Sequence, residues 1–226
     1  MAYTTIDDPS VYFQTATWTG SSGTDTITFD GNSDLQLDWL WSKCTSNAHS
    51  HALMDTSRIT SGDYLPLFAD TTDVEQTFYD SELQSILSDG FTVGTQPHAG
   101  GDGKTYVGFA WKANGGTTSS NSNGSITSTV QANTTAGFSI VTYTSAAGGQ
   151  TIGHGLGVKP DMYIIKERST SGDDWFVYHT SLGAGKKLRL SANSAEESDT
   201  NIWQNTAPTT TIAYLQNDGG GVNQNT

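Results

Sequence analysis

The sequence predicts an all-β protein of two tandem antiparallel β-sandwich (jelly-roll) domains, the second without its closing strand. Repetition is the first observation behind this. Phe13–Thr19 returns as Phe138–Thr144, an offset of 125 (138 − 13), and Asp38–Lys43 returns as Asp161–Lys166 at 123 (166 − 43). Tyr64–Leu67 falls on Lys187–Leu190 at the same offset of 123. Such a period exceeds the roughly 20–50 residues of a solenoid repeat and suits a module that buries its own core. The second observation is composition: 34% hydrophobic, 15% charged, 25 Gly, six Trp, nine Tyr and eight Phe. That is polar and aromatic without being highly charged, which reads as β structure with many polar loops. The third is spacing, since short apolar runs bounded by Gly, Asn, Asp or Ser lack a sustained 3.6-residue period.

Element by element, residues 1–11 read as an N-terminal arm, in which Tyr3, Ile6 and Pro9 are candidates for contact with a partner, because termini stay loose unless tied down. Module one spans 12–112. Residues 12–18 alternate Tyr12, Gln14, Ala16 and Trp18 against Phe13, Thr15 and Thr17, and this Thr- and aromatic-rich alternation marks a strand. Ser21–Thr24 turns the chain into Asp25–Asp30, and apolar runs follow at Leu35–Lys43, Tyr64–Phe68, Gly90–Val93 and Tyr106–Lys112. Most of Trp18, Trp39, Trp41 and Trp111, lying in strand patterns, are expected in the core. Asp73–Ser88 is the one stretch read as a short helix. Residues 113–123 form a Gly/Ser/Asn-rich linker. Module two spans 124–226, with strands at Ile126–Val130, Phe138–Thr144, Met162–Lys166, Trp175–Tyr178, Lys187–Leu190 and Thr211–Leu215. The position matching Tyr106–Lys112 falls past Asp218-Gly219-Gly220-Gly221, where the closing strand is missing.

Charge and cysteine content exclude several classes of function. A net charge of −13 with ten basic residues argues against nucleic acid and against an anionic membrane surface, both of which are held through Lys and Arg. Cys44 is the only cysteine, so no internal disulfide forms. The first residues lack the basic and apolar regions of a signal peptide, and no run is long enough to insert in a bilayer, so synthesis in the cytoplasm is expected.

Five motifs carry a resemblance to a known family: Asp38–Lys43, Ser88–Gly94, Lys104–Lys112, Ala136–Tyr143 and Gly153-His154-Gly155-Leu156-Gly157. Together they resemble a lectin-like module of tailed-bacteriophage virion proteins, common in marine phages. What the resemblance implies is a concanavalin A-like sandwich repeated along tail fibres or other appendages, a virion location, and a longer polypeptide than this one. It brings no catalytic residues. The expected partners are other virion proteins, copies of the chain itself and host-surface glycans. A capsid decoration protein and a free carbohydrate-binding module are the alternatives.

Individual sites are sparse. His49-Ser50-His51 has a spacing that can hold Zn²⁺, but no third or fourth ligand is evident. Asp30, Asn32 and Asp34 imitate the first oxygens of a calcium loop, and Leu35 and Trp41 then stand where the EF-hand needs Gly and Glu. The expectation is no cofactor, with Ca²⁺ among the acidic loops as the alternative. Gly100–Thr105 ends like a phosphate loop but runs into a strand, so it reads as a turn. Glu75, Glu82, Glu167, Glu196 and Glu197 form no recognisable acid–base pair, and an enzyme is not expected. Lys43 and Lys166 recur, with Asp38 and Asp161 as expected ion-pair partners. Trp175 and Trp203, flanked by polar residues, are the candidate exposed platforms for stacking sugar rings.

Overall fold

The computed structural model describes residues 6–77, 82–215 and 221–223. Among them the chain is all-β, with nineteen strands in antiparallel ladders and a single 3₁₀ turn at Pro9–Val11. It forms two compact units, residues 1–68 with 75–116, and residues 69–74 with 117–226.

The first unit runs through β1 (Phe13–Thr19), β2 (Asp25–Ile27), β3 (Trp39–Cys44), β4 (Ala52–Asp55), β5 (Ile59–Thr60), β6 (Asp63–Tyr64), β7 (Leu67–Phe68), β8 (Leu83–Leu87), β9 (Gly90–Val93) and β10 (Thr105–Trp111). Five strands form one sheet in the order β1-β10-β3-β4-β7, three form another in the order β2-β9-β8, and β5-β6 is a small hairpin. Alternation gives each strand an inner row. Leu40, Ala52, Met54, Phe68 and Ala110 of the larger sheet meet Ile27, Leu83, Phe91 and Val93 of the smaller one in a common buried core. This is a sandwich by its contacts.

In the second unit the strands are β11 (Ser119–Asn121), β12 (Ser128–Asn133), β13 (Phe138–Tyr143), β14 (Gln150–Gly153), β15 (Met162–Ile165), β16 (Phe176–His179), β17 (Lys186–Arg189), β18 (Glu197–Ser198) and β19 (Ile212–Leu215). They pair as β11-β12-β13, β14-β19 and β15-β16-β17-β18. Ile152, Ala213 and Leu215 pack with Ile165, Phe176, Tyr178, Ile202 and Trp203. The ladders β3·β4·β7 and β2·β9 of the first unit thus have counterparts in β15·β16·β17 and β14·β19, in the same chain order. The pair β1·β10 has none among the described residues, because β13 pairs with β12 instead.

Several expectations need correction. No helix forms over the described part of Asp73–Ser88: residues 73–77 are irregular, Leu83–Leu87 is a strand, and residues 78–81 lie outside the described set. A register shift between Leu83 and Ser85 inserts one residue into the ladder, so Leu83, Ile86 and Leu87 fall at spacings that imitate a helix. The stretch 113–123 is not a free linker. Its start is held by the Asp38 carboxylate, which accepts from the N–H groups of Ala113 (2.7 Å), Gly115 (2.8 Å) and Gly116 (2.7 Å), and its end is β11. At the N-terminus, Pro9 opens the 3₁₀ turn and Asp8 caps it, accepting from Ser10 N–H at 2.9 Å and from the Ser33 hydroxyl at 2.7 Å. Ile6 is half-buried, Pro9 is exposed, and Tyr3 lies outside the described residues, as do residues 216–220 and 224–226.

Candidate functional site: an aromatic outer face

Strands β1, β10 and β3 lie side by side, and their register lines up side chains in rows across the sheet. Residues 14, 16 and 18 of β1 stand beside 110, 108 and 106 of β10, which stand beside 40, 42 and 44 of β3. This inner set includes Trp18, Tyr106, Leu40 and Ala110, with small Gly108, Ala16 and Ser42 between them. The outer set is Phe13–Trp111–Trp39 in one row, Thr15–Phe109–Trp41 in the next and Thr17–Val107–Lys43 in the third. Five aromatic rings therefore share the face turned away from the core. Phe13 and Trp111 are 4.6 Å apart at their centroids, Trp111 and Trp39 4.7 Å, and Trp39 and Trp41 6.0 Å. Phe13 and Phe109 are each 36% exposed, and the three Trp are half-buried.

The inner face fixes the platform. Trp18 donates from Nε1 to the Ala99 carbonyl at 2.7 Å and stacks on Tyr106 at 5.5 Å. The Tyr106 hydroxyl donates to the Pro97 carbonyl and accepts from Gly101 N–H, both at 2.9 Å, and burial pushes its pKa up to about 12. On the outer face, Trp41 Nε1 donates to His51 Nδ1 at 3.2 Å and Lys43 Nζ donates to the His49 carbonyl at 2.5 Å. The polar handle of Trp41 is thereby used internally. Mutual ring contacts hold the row in place, so an incoming ligand meets a surface already ordered.

The sequence pattern of the DUF7483 family, described as a domain of unknown function, matches residues 8–226. The chain belongs to that family. One pattern therefore runs across both units. No curated protein and no solved structure matches the chain.

Both rings expected to be exposed are buried in this DUF7483 chain. Trp203, expected to be exposed, is fully buried, donates from Nε1 to the Lys186 carbonyl at 3.0 Å and lies edge-on to Tyr163 and Tyr178. Its polar neighbours belong to a tight turn: Gln204 and Asn205 adopt positive φ, and Gln204 Nε2 donates to the Gln150 and Leu215 carbonyls at 2.9 Å. Trp175 is 6% exposed, and its N–H donates at 3.3 Å to the hydroxyl of Ser191, which, like Arg189, donates to Asp174. Neither ring can serve as an open platform. Of Trp18, Trp39, Trp41 and Trp111, most of them expected in the core, Trp39, Trp41 and Trp111 line the outer face of the first unit's larger sheet instead.

The remaining candidates do not converge. Asp30, Asn32 and Asp34 are exposed in the loop between β2 and β3, and His49 and His51 lie in the loop before β4. Among the described residues no group of three or more His, Cys, Asp or Glu is arranged to hold a metal ion. Gly100–Thr105 is a turn entering β10, as read, with Lys104 N–H donating to the Gly101 carbonyl. Asp38 and Lys43 do not pair, since the carboxylate is occupied by backbone N–H groups and by the Thr56 hydroxyl at 2.9 Å. Two buried polar clusters had no sequence signal. Arg58 donates to Asp55 and to Glu75, each at 2.5 Å, and to the Leu65 and Leu53 carbonyls at 3.1 Å. Glu82 accepts from His98 N–H at 3.1 Å and pairs with its Nδ1 at 2.6 Å. Glu82 is 0% and His98 7% exposed, so no substrate reaches this acid–imidazole pair.

Proposed function

We propose that this chain is a non-enzymatic structural protein of a bacteriophage particle, carried on a tail fibre or similar appendage, and that its first unit binds host-surface glycan on the outer aromatic face. The observation that carries the binding role is the row Phe13–Trp111–Trp39 with Phe109 and Trp41 beside it. A contiguous apolar patch left on an outer face marks an interaction site. Sugars suit it because one side of a pyranose ring presents C–H groups to an aromatic face. Thr15, Thr17 and Lys43, on the same face, supply hydroxyl and ammonium partners for the sugar hydroxyls. Such binding calls for neither a metal nor a cofactor. The virion setting and the partners it implies, other particle proteins and copies of the chain, rest on the motif resemblance described above.

The test is titration of the chain with oligosaccharides from bacterial surface polysaccharides, followed by calorimetry. Trp39→Ala and Trp111→Ala are expected to weaken binding at least ~10-fold, the equivalent of about 1.4 kcal/mol, while leaving the fold intact by circular dichroism. Binding that is unaffected by both variants overturns the assignment of the site. A chain that binds no glycan and is located in the capsid lattice of a purified particle would be a decoration protein instead.

A further inference from the structure

Beside the aromatic face, β1 forms the edge of the larger sheet, and half of its backbone groups do not pair. Gly20 N–H donates to the Lys104 carbonyl at 2.8 Å, and Lys112 N–H donates to the Tyr12 carbonyl at 2.9 Å. Along an antiparallel strand the N–H and C=O of one residue point to one side and those of the next residue to the other. The even-numbered residues of β1 therefore face β10, and the N–H and C=O groups of Thr15 and Thr17 point away from it, to the edge. No strand pairs with that edge among the described residues.

The chain returns along this edge without bonding to it. Residues 20–24 turn β1 into β2, the turn being folded by Ser21, whose N–H and hydroxyl both donate to the Asp25 carboxylate at 2.7 Å. Residues 28–30 then run back beside β1, and Gln14 clamps the returning segment at the far end. Its Oε1 accepts from Gly31 N–H at 2.9 Å and its Nε2 donates to the Ser33 carbonyl at 2.7 Å. Between the two segments lies a cleft of about 270 Å³, lined by Thr15, Ala16, Thr17, Thr28 and Asp30 and closed at both ends.

The lining is polar and its groups are not used internally. The hydroxyls of Thr15, Thr17 and Thr28 and the Asp30 carboxylate bond to nothing among the described residues, and neither do the backbone groups of Thr15 and Thr17. Hydroxyls, N–H donors and a carboxylate acceptor within one cleft suit a polyol, whose hydroxyls both donate and accept. The cleft also adjoins the aromatic rows, where Thr15 stands beside Phe109 and Thr17 beside Val107. Its charge is negative, since no Lys, Arg or His is among the lining residues. Lys43 stands two strands away from Thr17, with its ammonium bonded to the His49 carbonyl at 2.5 Å.

We infer that this cleft is the specificity subsite of the glycan site, and that it takes a neutral hexose unit while the next unit of the saccharide stacks on the rings. This rests on the glycan reading of the aromatic face. Adjacent sugar hydroxyls donate to the two oxygens of Asp30, and the N–H groups of Thr15 and Thr17 donate to oxygens of the same ring. A uronic acid there would set its carboxylate against Asp30 with no cation between them. A peptide strand is a poorer occupant, because the closed ends leave it no path along β1.

The probes are neutral hexose trisaccharides from bacterial surface polysaccharides and trisaccharides of the same length that carry a uronic acid, each titrated into the full chain. Neutral probes are expected to bind at least ~10-fold more tightly, because the unpaired charge works against the acidic ones. Asp30→Ala should weaken the neutral probe at least ~10-fold through loss of a charged acceptor. Asp30→Asn keeps an acceptor without the charge and should bring the two classes within ~3-fold of each other. Asp30 is exposed, so both variants keep the fold. The amide resonances of Thr15 and Thr17 should shift as the neutral probe binds. Binding that Trp39→Ala and Trp111→Ala weaken but both Asp30 variants leave unchanged overturns the cleft alone and keeps the aromatic face. Binding unaffected by the Trp variants, or none by any probe, overturns the face and the cleft with it. Tighter binding of the acidic probes overturns the inference, as does a dimer in which the Thr15 and Thr17 amides are protected from exchange before sugar is added.

Discussion

Burial favours the neutral form of His154, against one of the two bonds that its ring makes. Its Nε2 lies 3.2 Å from the Thr209 carbonyl, to which it donates, and its Nδ1 accepts from Leu156 N–H at 3.3 Å. A proton on Nδ1 would face that N–H, and burial already lowers the pKa of the ring, outweighing the Thr209 bond. The unfolded chain takes up this proton near pH 6.5, the folded chain only at lower pH. Stability from His154 is therefore present above about pH 6.5 and is lost as pH falls through that value toward the folded one. His154→Gln should lose less stability than the parent chain between pH 7.5 and pH 5, as measured by urea unfolding at each pH. The motif around it is equally specific. Gly155 sits at φ +75°, and a Cβ there would stand 2.7 Å from the Val130 side chain. The sequence made these five residues conspicuous without revealing that their work is structural. Its indication that Trp203 is exposed failed because local polarity reports the turn that buries the ring, not the ring itself.

At the scale of elements, the strands and their alternation were largely legible, and which face of each is the core was not. In β3 the outer residues are Trp39, Trp41 and Lys43 and the inner ones Leu40, Ser42 and Cys44, so a reading by size and apolarity selects the wrong row. The inner row is small because a second sheet must pack on it, and that constraint is a property of the tertiary structure. Gly108 shows how tight the fit is. A Cβ there would lie 3.0 Å from Cζ3 of Trp18 and 3.2 Å from Cδ1 of Leu40, and the indole cannot retreat while Nε1 is bonded to Ala99. Gly108→Val is expected to destabilise the first unit by about 1–3 kcal/mol through overpacking. Chemical denaturation followed by Trp fluorescence measures this. A neutral outcome would mean that the inner face is looser than its distances indicate.

For the whole molecule, the two units have distinct cores, one around Leu40, Phe91 and Met54 and the other around Trp203, Tyr178 and Leu215. Two thermal transitions are therefore expected in scanning calorimetry, each answering to its own variant. Arg58→Met takes the guanidinium away from the buried Asp55 carboxylate and should cost about 3–5 kcal/mol in the first transition. Trp203→Ala should remove about 3–5 kcal/mol from the second. A single transition shifted equally by both variants would mean that the units unfold as one. The repetition that suggested two modules is legible in the sequence because the strand blocks keep their order. Their borders are not, because Asp38 and β11 draw opposite ends of the polar stretch into different units, through contacts of long sequence separation.

The pairing of Phe13 with Trp111 bears on how the first unit carries load. The chain enters the large sheet at Phe13 and leaves it at Trp111, and the two are cross-strand neighbours at the same end. Tension applied between entry and exit peels β1 from β10 one hydrogen bond at a time, rather than straining the whole ladder in shear. Such a ladder resists little by itself. Two carboxylates stand ahead of it, Asp8 tying the entry to Ser33 and Asp38 gripping three backbone N–H groups just past the exit. The force at which this unit opens would thus be set at its threshold, by Asp8 and Asp38, before the sheet is loaded at all.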